Sequence, residues 1–153
     1  MMMTLDEAIS KLDALDENEK TELKNAGFAE EVEVFDLVDH FIYKGESATV
    51  HKLIESGVDI NMQNHYGWSF LHMAIRHNKM DLVEYFIDKG ININITDGVG
   101  WTPLMEGIMD DRAAMVKLLL DHKADRSVRN QRGASASDLV MKFQRQDMFA
   151  FFQ

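Results

Sequence analysis

The stretch that decides the fold is GWSFLHMA at residues 67–74, because related stretches recur at a fixed distance along the chain. Residues 100–107 read GWTPLMEG and residues 133–140 read GASASDLV, so their first glycines are spaced by 33 residues. Apolar positions follow the same period: Val50, Val83 and Val116. A fixed period of roughly 20 to 50 residues is typical of stacked repeat proteins.

Each period contains the pattern of two short amphipathic helices. Apolar residues recur at helical spacing over residues 69–77 and again over residues 81–89, which predicts a helix in each segment. Gly90 stands where the second helix must end, since a left-handed residue there suits glycine. Thr102 and Pro103 are typical of an N-cap followed by the first helical position. Helices this short cannot bury an apolar face alone, so we expect the units to stack.

These stretches resemble the ankyrin motif G-x-T-P-L-H-x-A. Residues 83–94 (VEYFIDKGININ) and residues 116–125 (VKLLLDHKAD) are similar to the second helix and following loop of that repeat. The resemblance spans roughly residues 31–153. It implies an all-α ankyrin-repeat solenoid of about four stacked helix-turn-helix units with an N-terminal helical cap.

The resemblance also sets the expected limits of each unit. The predicted units are residues 31–63, 64–96 and 97–129, followed by a truncated C-terminal cap at residues 130–153. Phe70 departs from the motif proline and Met105 from the motif histidine. Ser137 stands where earlier units have Leu71 and Leu104, so we expect looser packing and fraying at the C-terminal end.

Residues 1–30 precede the repeats and are predicted to form the N-terminal cap. Leu5, Ile9, Leu12 and Leu15 form an apolar stripe at helical spacing. Asp16 is the predicted N-cap of a second helix over residues 17–25 that closes at Gly27. The alternative is an acidic arm that binds a partner, because residues 1–40 hold 12 Asp and Glu against three Lys.

Composition and charge exclude several classes of protein. With 153 residues, 46% of them hydrophobic, the chain suits one compact domain. The chain has no apolar run of membrane-spanning length, no secretory signal pattern and no cysteine. We therefore expect a cytoplasmic protein without a membrane partner, with secretion lacking a cleavable signal as the alternative. A net charge of -10 without a strong basic stripe argues against nucleic acid as a partner.

No pattern of catalytic or metal-binding residues stands out. The six histidines lack the H-E-x-x-H spacing of a zinc site, so we predict no metal and no cofactor. The carboxylates Glu106, Asp110 and Asp111 are expected to be solvated on a helix surface. We predict that the protein is not an enzyme. For His72, at the motif histidine, the ankyrin resemblance implies a structural hydrogen bond between units.

The ankyrin resemblance implies a partner site on the concave face, at the turn tips and at the ends of the first helices. These positions are Tyr43, Lys44, His65, Tyr66, Trp68, Arg76, His77, Val99, Trp101, Met109 and Asp110. Trp68 and Trp101 are expected to stack on each other as interface hot spots, because aromatic and Arg side chains dominate such sites. The alternative is that each indole packs against its own hairpin.

Protein binding is therefore the predicted function. Short, acidic, stand-alone ankyrin proteins resemble bacterial interaction proteins, among them inhibitors or immunity proteins that cover a toxin's active site. The alternatives are a secreted effector or adaptor that engages host proteins, and a scaffold that self-assembles through its acidic N-terminal and basic C-terminal ends. We expect a monomer when no partner is bound.

Overall fold

The computed structural model describes all 153 residues, and almost all of its regular structure is helical. The nine α-helices are α1 Leu5–Ser10, α2 Glu17–Lys24, α3 Val34–Lys44, α4 Ser47–Glu55, α5 Phe70–Arg76, α6 Met80–Asp88, α7 Pro103–Met109, α8 Ala113–Asp121 and α9 Ala136–Lys142. A 3-10 helix, Gln146–Phe152, ends the chain. Two short antiparallel strands, β1 Met3–Thr4 and β2 Glu31–Val32, were not predicted.

The helices form consecutive antiparallel pairs that stack into a row. The first helices of the pairs, α3, α5, α7 and α9, pack side by side, and α4, α6 and α8 each pack behind the first helix of their own pair. The terminal 3-10 helix packs against α9 and α8. None of the helices is long and apolar enough to span a membrane. This arrangement is the stacked all-α solenoid that the sequence predicted.

Phe70, which replaces the motif proline, fills the core between two units. It is fully buried, and its ring stacks on Phe35 of α3 at 4.8 Å between centroids. On its other side lies Phe86 of α6, at 6.0 Å. The departure from the motif therefore exchanges a helix-starting proline for aromatic packing between adjacent units.

The tips between units are hairpin turns stacked at close range. In each turn a side-chain oxygen accepts backbone N–H groups two and four residues on, as Asn64 does from Tyr66 and Trp68 at 3.0 Å. The backbone N–H of Gly98 then donates to the carbonyl of Tyr66 at 2.8 Å, which joins one hairpin to the next. A Cβ on Gly67 would meet the nitrogen of Gly98 at 2.5 Å. Glycine at this position is therefore required by the approach of the neighbouring hairpin as well as by its φ of +82°.

The residues that predicted helix ends in the sequence lie at the observed helix ends. The hydroxyl oxygen of Thr102 accepts the backbone N–H of Met105, and Pro103 occupies the first turn of α7. Gly90, after α6, has a φ of +88°, as the predicted left-handed helix end requires. These predictions are confirmed.

His72 joins two units, as the resemblance implied. Its Nδ1 accepts from Ser69 in the same unit, and its Nε2–H donates to the carbonyl of Trp101 in the next unit at 2.9 Å. Burial lowers the pKa of His72, so the ring is neutral at physiological pH and keeps one donor and one acceptor. The structural hydrogen bond between units is confirmed.

The N-terminal segment lies against the first helix pair. Asp16 caps α2 as predicted, accepting from the backbone of Glu19 at 2.8 Å. The apolar stripe is not one continuous helix, because α1 ends at Ser10 and tighter turns follow, yet Leu12 and Leu15 remain buried. Glu19 binds Lys52 of α4. We propose on this packing that residues 1–30 cap the stack.

The C-terminal end of the stack has less apolar cover than the units before it. Ser137 is exposed, whereas Leu71 and Leu104 at the equivalent positions are buried. Helix α9 packs on α7, and the terminal 3-10 helix packs against both α9 and α8.

We predict that the amides of residues 139–143 exchange with solvent faster than those of α7, by about ten-fold or more, because end units open without breaking the rest of the stack. Hydrogen exchange followed by mass spectrometry or NMR measures this directly. The amides of α5, which has a unit on each side, serve as the internal control. Equal protection in α9 and α5 would contradict the prediction.

Candidate functional site

The predicted contact residues lie on the surface that is formed by the hairpin tips and the first helices, which we call the inner face. The structure brings them together in three groups: Tyr43 with His77; His65, Tyr66, Trp68, Arg76 and Asp110; and Val99, Trp101 and Met109. Lys44 is exposed and joins none of these contacts. The predicted set is therefore a row of three neighbouring patches.

Trp68 lies at the centre of the middle group. Its ring contacts Tyr66 at 4.9 Å, and the guanidinium of Arg76 lies 4.3 Å above its centroid. Trp68 and Trp101 are both half-buried, and they make no ring contact with each other. The expected stack of two indoles is therefore wrong, because Arg76 and Tyr66 occupy the faces of Trp68. Each indole packs partly on the core.

Carboxylates that sequence reasoning missed fix two of the histidines. His65 donates from Nδ1 to Glu33 at 2.7 Å, and its backbone N–H donates to the same oxygen. Burial acts to raise the pKa of Glu33, yet the hydrogen bonds from His65 bring that pKa below its usual value. His77 donates to Asp39 at 3.1 Å and meets the ring of Tyr43 edge-on. These contacts fix the orientation of the His65 and His77 rings in the unbound protein.

Glu106 of the inner face lies in a different environment from the predicted one. It was expected to be solvated, but its side chain is only 5% exposed, so that expectation is wrong. It lies on α7, and Arg76 of the neighbouring helix α5 donates to it at 3.0 Å. The physical reason is the packing of α7 between α5 and α9, which buries residues 103–108 all around the helix.

The ionised form of the Glu106 carboxyl group is disfavoured in this buried position. Burial raises its pKa to about 7; the Arg76 guanidinium opposes this shift and the neighbouring Asp110 carboxyl adds to it. One oxygen of Asp110 is buried without a hydrogen-bond donor. A proton on Glu106 supplies a donor next to that oxygen. Arg76 is therefore shared between the indole of Trp68 and a carboxyl group that takes up a proton near neutral pH.

The third group lines a groove of about 520 Å³, which we call the C-terminal groove. The groove is formed by the hairpins at residues 97–101 and 130–134, by Met109 of α7 and by the last unit. Its apolar lining consists of Val99, Trp101, Met109, Ala134, Leu139 and Phe143. The sequence identified Val99, Trp101 and Met109 but missed Leu139 and Phe143, which come from the last unit. Their apolar spacing in the last unit was the available signal.

A second cavity, of about 400 Å³, lies at the other end of the inner face, and we call it the N-terminal pocket. Tyr43 and His77 line it together with the carboxylates Glu31, Asp36 and Asp39. No Lys or Arg contributes to it. No group of three or more His, Cys, Asp or Glu side chains is arranged to hold a metal ion.

We predict that Glu106→Gln stabilises the protein at pH 8 by about 2 kcal/mol and changes its stability little at pH 5. Because the folded pKa of Glu106, about 7, lies above the unfolded value of 4.5, the wild type loses stability as pH rises through this window. Urea unfolding at both pH values measures the difference.

Glu84→Gln is the control, since Glu84 is exposed on α6 and makes no ion pair. It should change the free energy of unfolding little at either pH. If Glu106→Gln destabilises the protein equally at pH 5 and pH 8, the ion pair with Arg76 outweighs the burial of Glu106 and the prediction is wrong.

Comparison with known proteins agrees with this architecture. The family model described as ankyrin repeats, in three copies, matches residues 40–130, which is more than half of the chain. No curated protein matches the chain as a relative. Ankyrin repeats are generic protein-interaction modules. The chain belongs to the ankyrin-repeat family.

Proposed function

We propose that the protein binds a single partner protein through its inner face, with Trp68 and Trp101 as anchors. One observation carries this proposal. The structure leaves seven large hydrophobic side chains exposed, and four of them, Tyr43, Tyr66, Val99 and Met109, belong to the predicted contact positions. Two of the others, Met1 and Met2, are at the chain start. Apolar surface collected on one face is typical of a binding site.

The preorganised side chains support the same proposal. Tyr66 is 57% exposed and rests against Trp68 and His65. Arg76 covers one face of Trp68 and is held by Glu106, so the indole has few orientations to lose when a partner binds. A rigid aromatic anchor surrounded by polar groups is the usual composition of an interface hot spot.

Within this class we propose an inhibitor or immunity protein that covers the active site of its partner. A rigid face with aromatic anchors suits a role in which binding alone has an effect. A secreted effector or an adaptor would use the same face, and a scaffold would instead join its two oppositely charged ends. An inhibitor abolishes the activity of its partner at equimolar ratio, which an adaptor does not.

We predict that Trp68→Ala and Trp101→Ala each weaken the complex with a captured partner by about ten-fold or more, because each removes an aromatic anchor. The affinity is measured by titration with the partner after its isolation on the immobilised wild-type chain. Formation of the complex should also shift tryptophan emission to shorter wavelength.

Met141→Ala is the matched control, because Met141 is exposed and apolar but lies outside the three groups of the inner face. Its affinity should stay within about two-fold of the wild type. Since Trp68 and Trp101 are half-buried, Tyr66→Ala provides a second test at a more exposed position. Unchanged affinity in all three aromatic variants would overturn the proposal.

A further inference from the structure

We propose that the C-terminal groove binds a segment of the partner that carries carboxylates beside an apolar anchor. This inference rests on the proposed function and gives the chemistry of the partner at one end of the inner face. It follows from the lining of the groove, from its unpaired cations and from the positions of the nearby carboxylates.

The floor of the groove is apolar and open. Val99 is 52% exposed and Met109 is 48% exposed, and Phe143 of the last unit also lines the groove. A volume of about 520 Å³ lies within the range of roughly 300 to 1,000 Å³ that ligand pockets occupy. An apolar side chain seated there would cover surface that the protein itself leaves uncovered.

The charged side chains that line the groove are all positive. Arg132 and Lys142 line the groove, and no Asp or Glu does. Both cations are exposed, and neither takes part in any ion pair of the structure. A carboxylate brought into the groove would meet two cations that no carboxylate of the protein neutralises, although Lys142 also lies 5.9 Å from the ring centroid of Phe143. Arg132 offers the planar fork of donors that binds carboxylates in pairs of hydrogen bonds.

The carboxylates near the C-terminal groove already have partners within the protein. Asp111 lies 3.9 Å from Arg145, and Asp138 lies 3.3 Å from Arg129. Asp110 has a buried oxygen and interacts with Glu106 instead of facing the groove. The local charge that a ligand meets is therefore set by Arg132 and Lys142.

The amide groups along the wall are also used within the protein. Asn130 is buried and accepts from the backbone N–H groups of Arg132 and Ala134 in its own turn. Gln131 donates from its side chain to the carbonyl of Gly98 at 2.9 Å. The cations are thus the main side-chain donors left for a ligand.

The two ends of the inner face carry opposite charge, and this difference determines at which end an acidic segment binds. The N-terminal pocket is lined by three carboxylates and no Lys or Arg, so an acidic segment is repelled there and attracted to the C-terminal groove. Residues 1–40 hold 12 acidic and three basic residues, and residues 112–145 hold three acidic and eight basic. The net charge of -10 therefore does not describe the groove.

A library of random short peptides displayed on phage tests the inference, with the full-length wild type as bait. We expect the selected peptides to be rich in Asp and Glu next to an apolar residue. A synthetic peptide of the selected sequence should bind the double variant Arg132→Glu/Lys142→Glu at least about ten-fold more weakly than the wild type. Its affinity should also fall as salt rises.

Lys117→Glu is the matched control, because Lys117 is exposed on α8 and lines neither cavity. It makes a charge reversal of the same kind and should leave peptide affinity unchanged. Selected peptides that are basic, or that bind the double variant as well as the wild type, overturn the inference. If such peptides lose affinity in Tyr66→Ala, the proposed function stands without the inference. Selection of no peptide overturns the inference, whereas the proposed function is tested separately by Trp68→Ala and Trp101→Ala.

A second copy of the chain is the competing occupant, since its first 40 residues are acidic. Sedimentation of the wild type and the double variant at low salt distinguishes it. A wild-type dimer that the double variant does not form would assign the groove to self-association and would overturn the inference of a partner segment. A wild-type monomer agrees with the inference.

Discussion

The close approach of neighbouring hairpins is the constraint on which the rest of the structure depends. Gly67 lies against the backbone of the next hairpin with no room for a Cβ, and Gly98 donates to Tyr66 across the same contact. Further along, the N–H of Gln131 donates to Val99 in the same way at 3.1 Å. Because the contacts repeat with the period of the sequence, they hold the hairpins at residues 64–68, 97–101 and 130–134 in register.

The register of the hairpins determines what the inner face presents. The turn tips place Tyr66 and Val99 at equivalent positions of consecutive units, and both are exposed. The hydrogen bond from His72 to Trp101 ties the helix of one unit to the tip of the next. The proposed binding surface thus arises from the same contacts that stabilise the stack.

The period and the turn chemistry made much of the fold predictable from the sequence. Thr102, Pro103 and Gly90 act locally, so their roles could be read without knowing what surrounds them. Burial of Glu106 depends on three helices at once, and no local pattern reports it. The same holds for the strand pair of residues 3–4 with residues 31–32, which joins segments distant in sequence. The sequence predicted that Trp68 lies at a hairpin tip, but its contacts with Arg76 and Tyr66 depend on how neighbouring segments pack.

Alanine at Gly67, Gly100 and Gly133 tests most directly whether hairpin approach holds the stack in register. All three have φ between +79° and +82°, so the left-handed backbone costs each variant a similar amount, about 1 to 2 kcal/mol. A Cβ would meet backbone at 2.5 Å at Gly67 and at 3.1 Å at Gly100, and nothing within 4 Å at Gly133. We predict that the free energy of unfolding falls most for Gly67→Ala, less for Gly100→Ala and least for Gly133→Ala. Equal losses at the three positions would contradict the account.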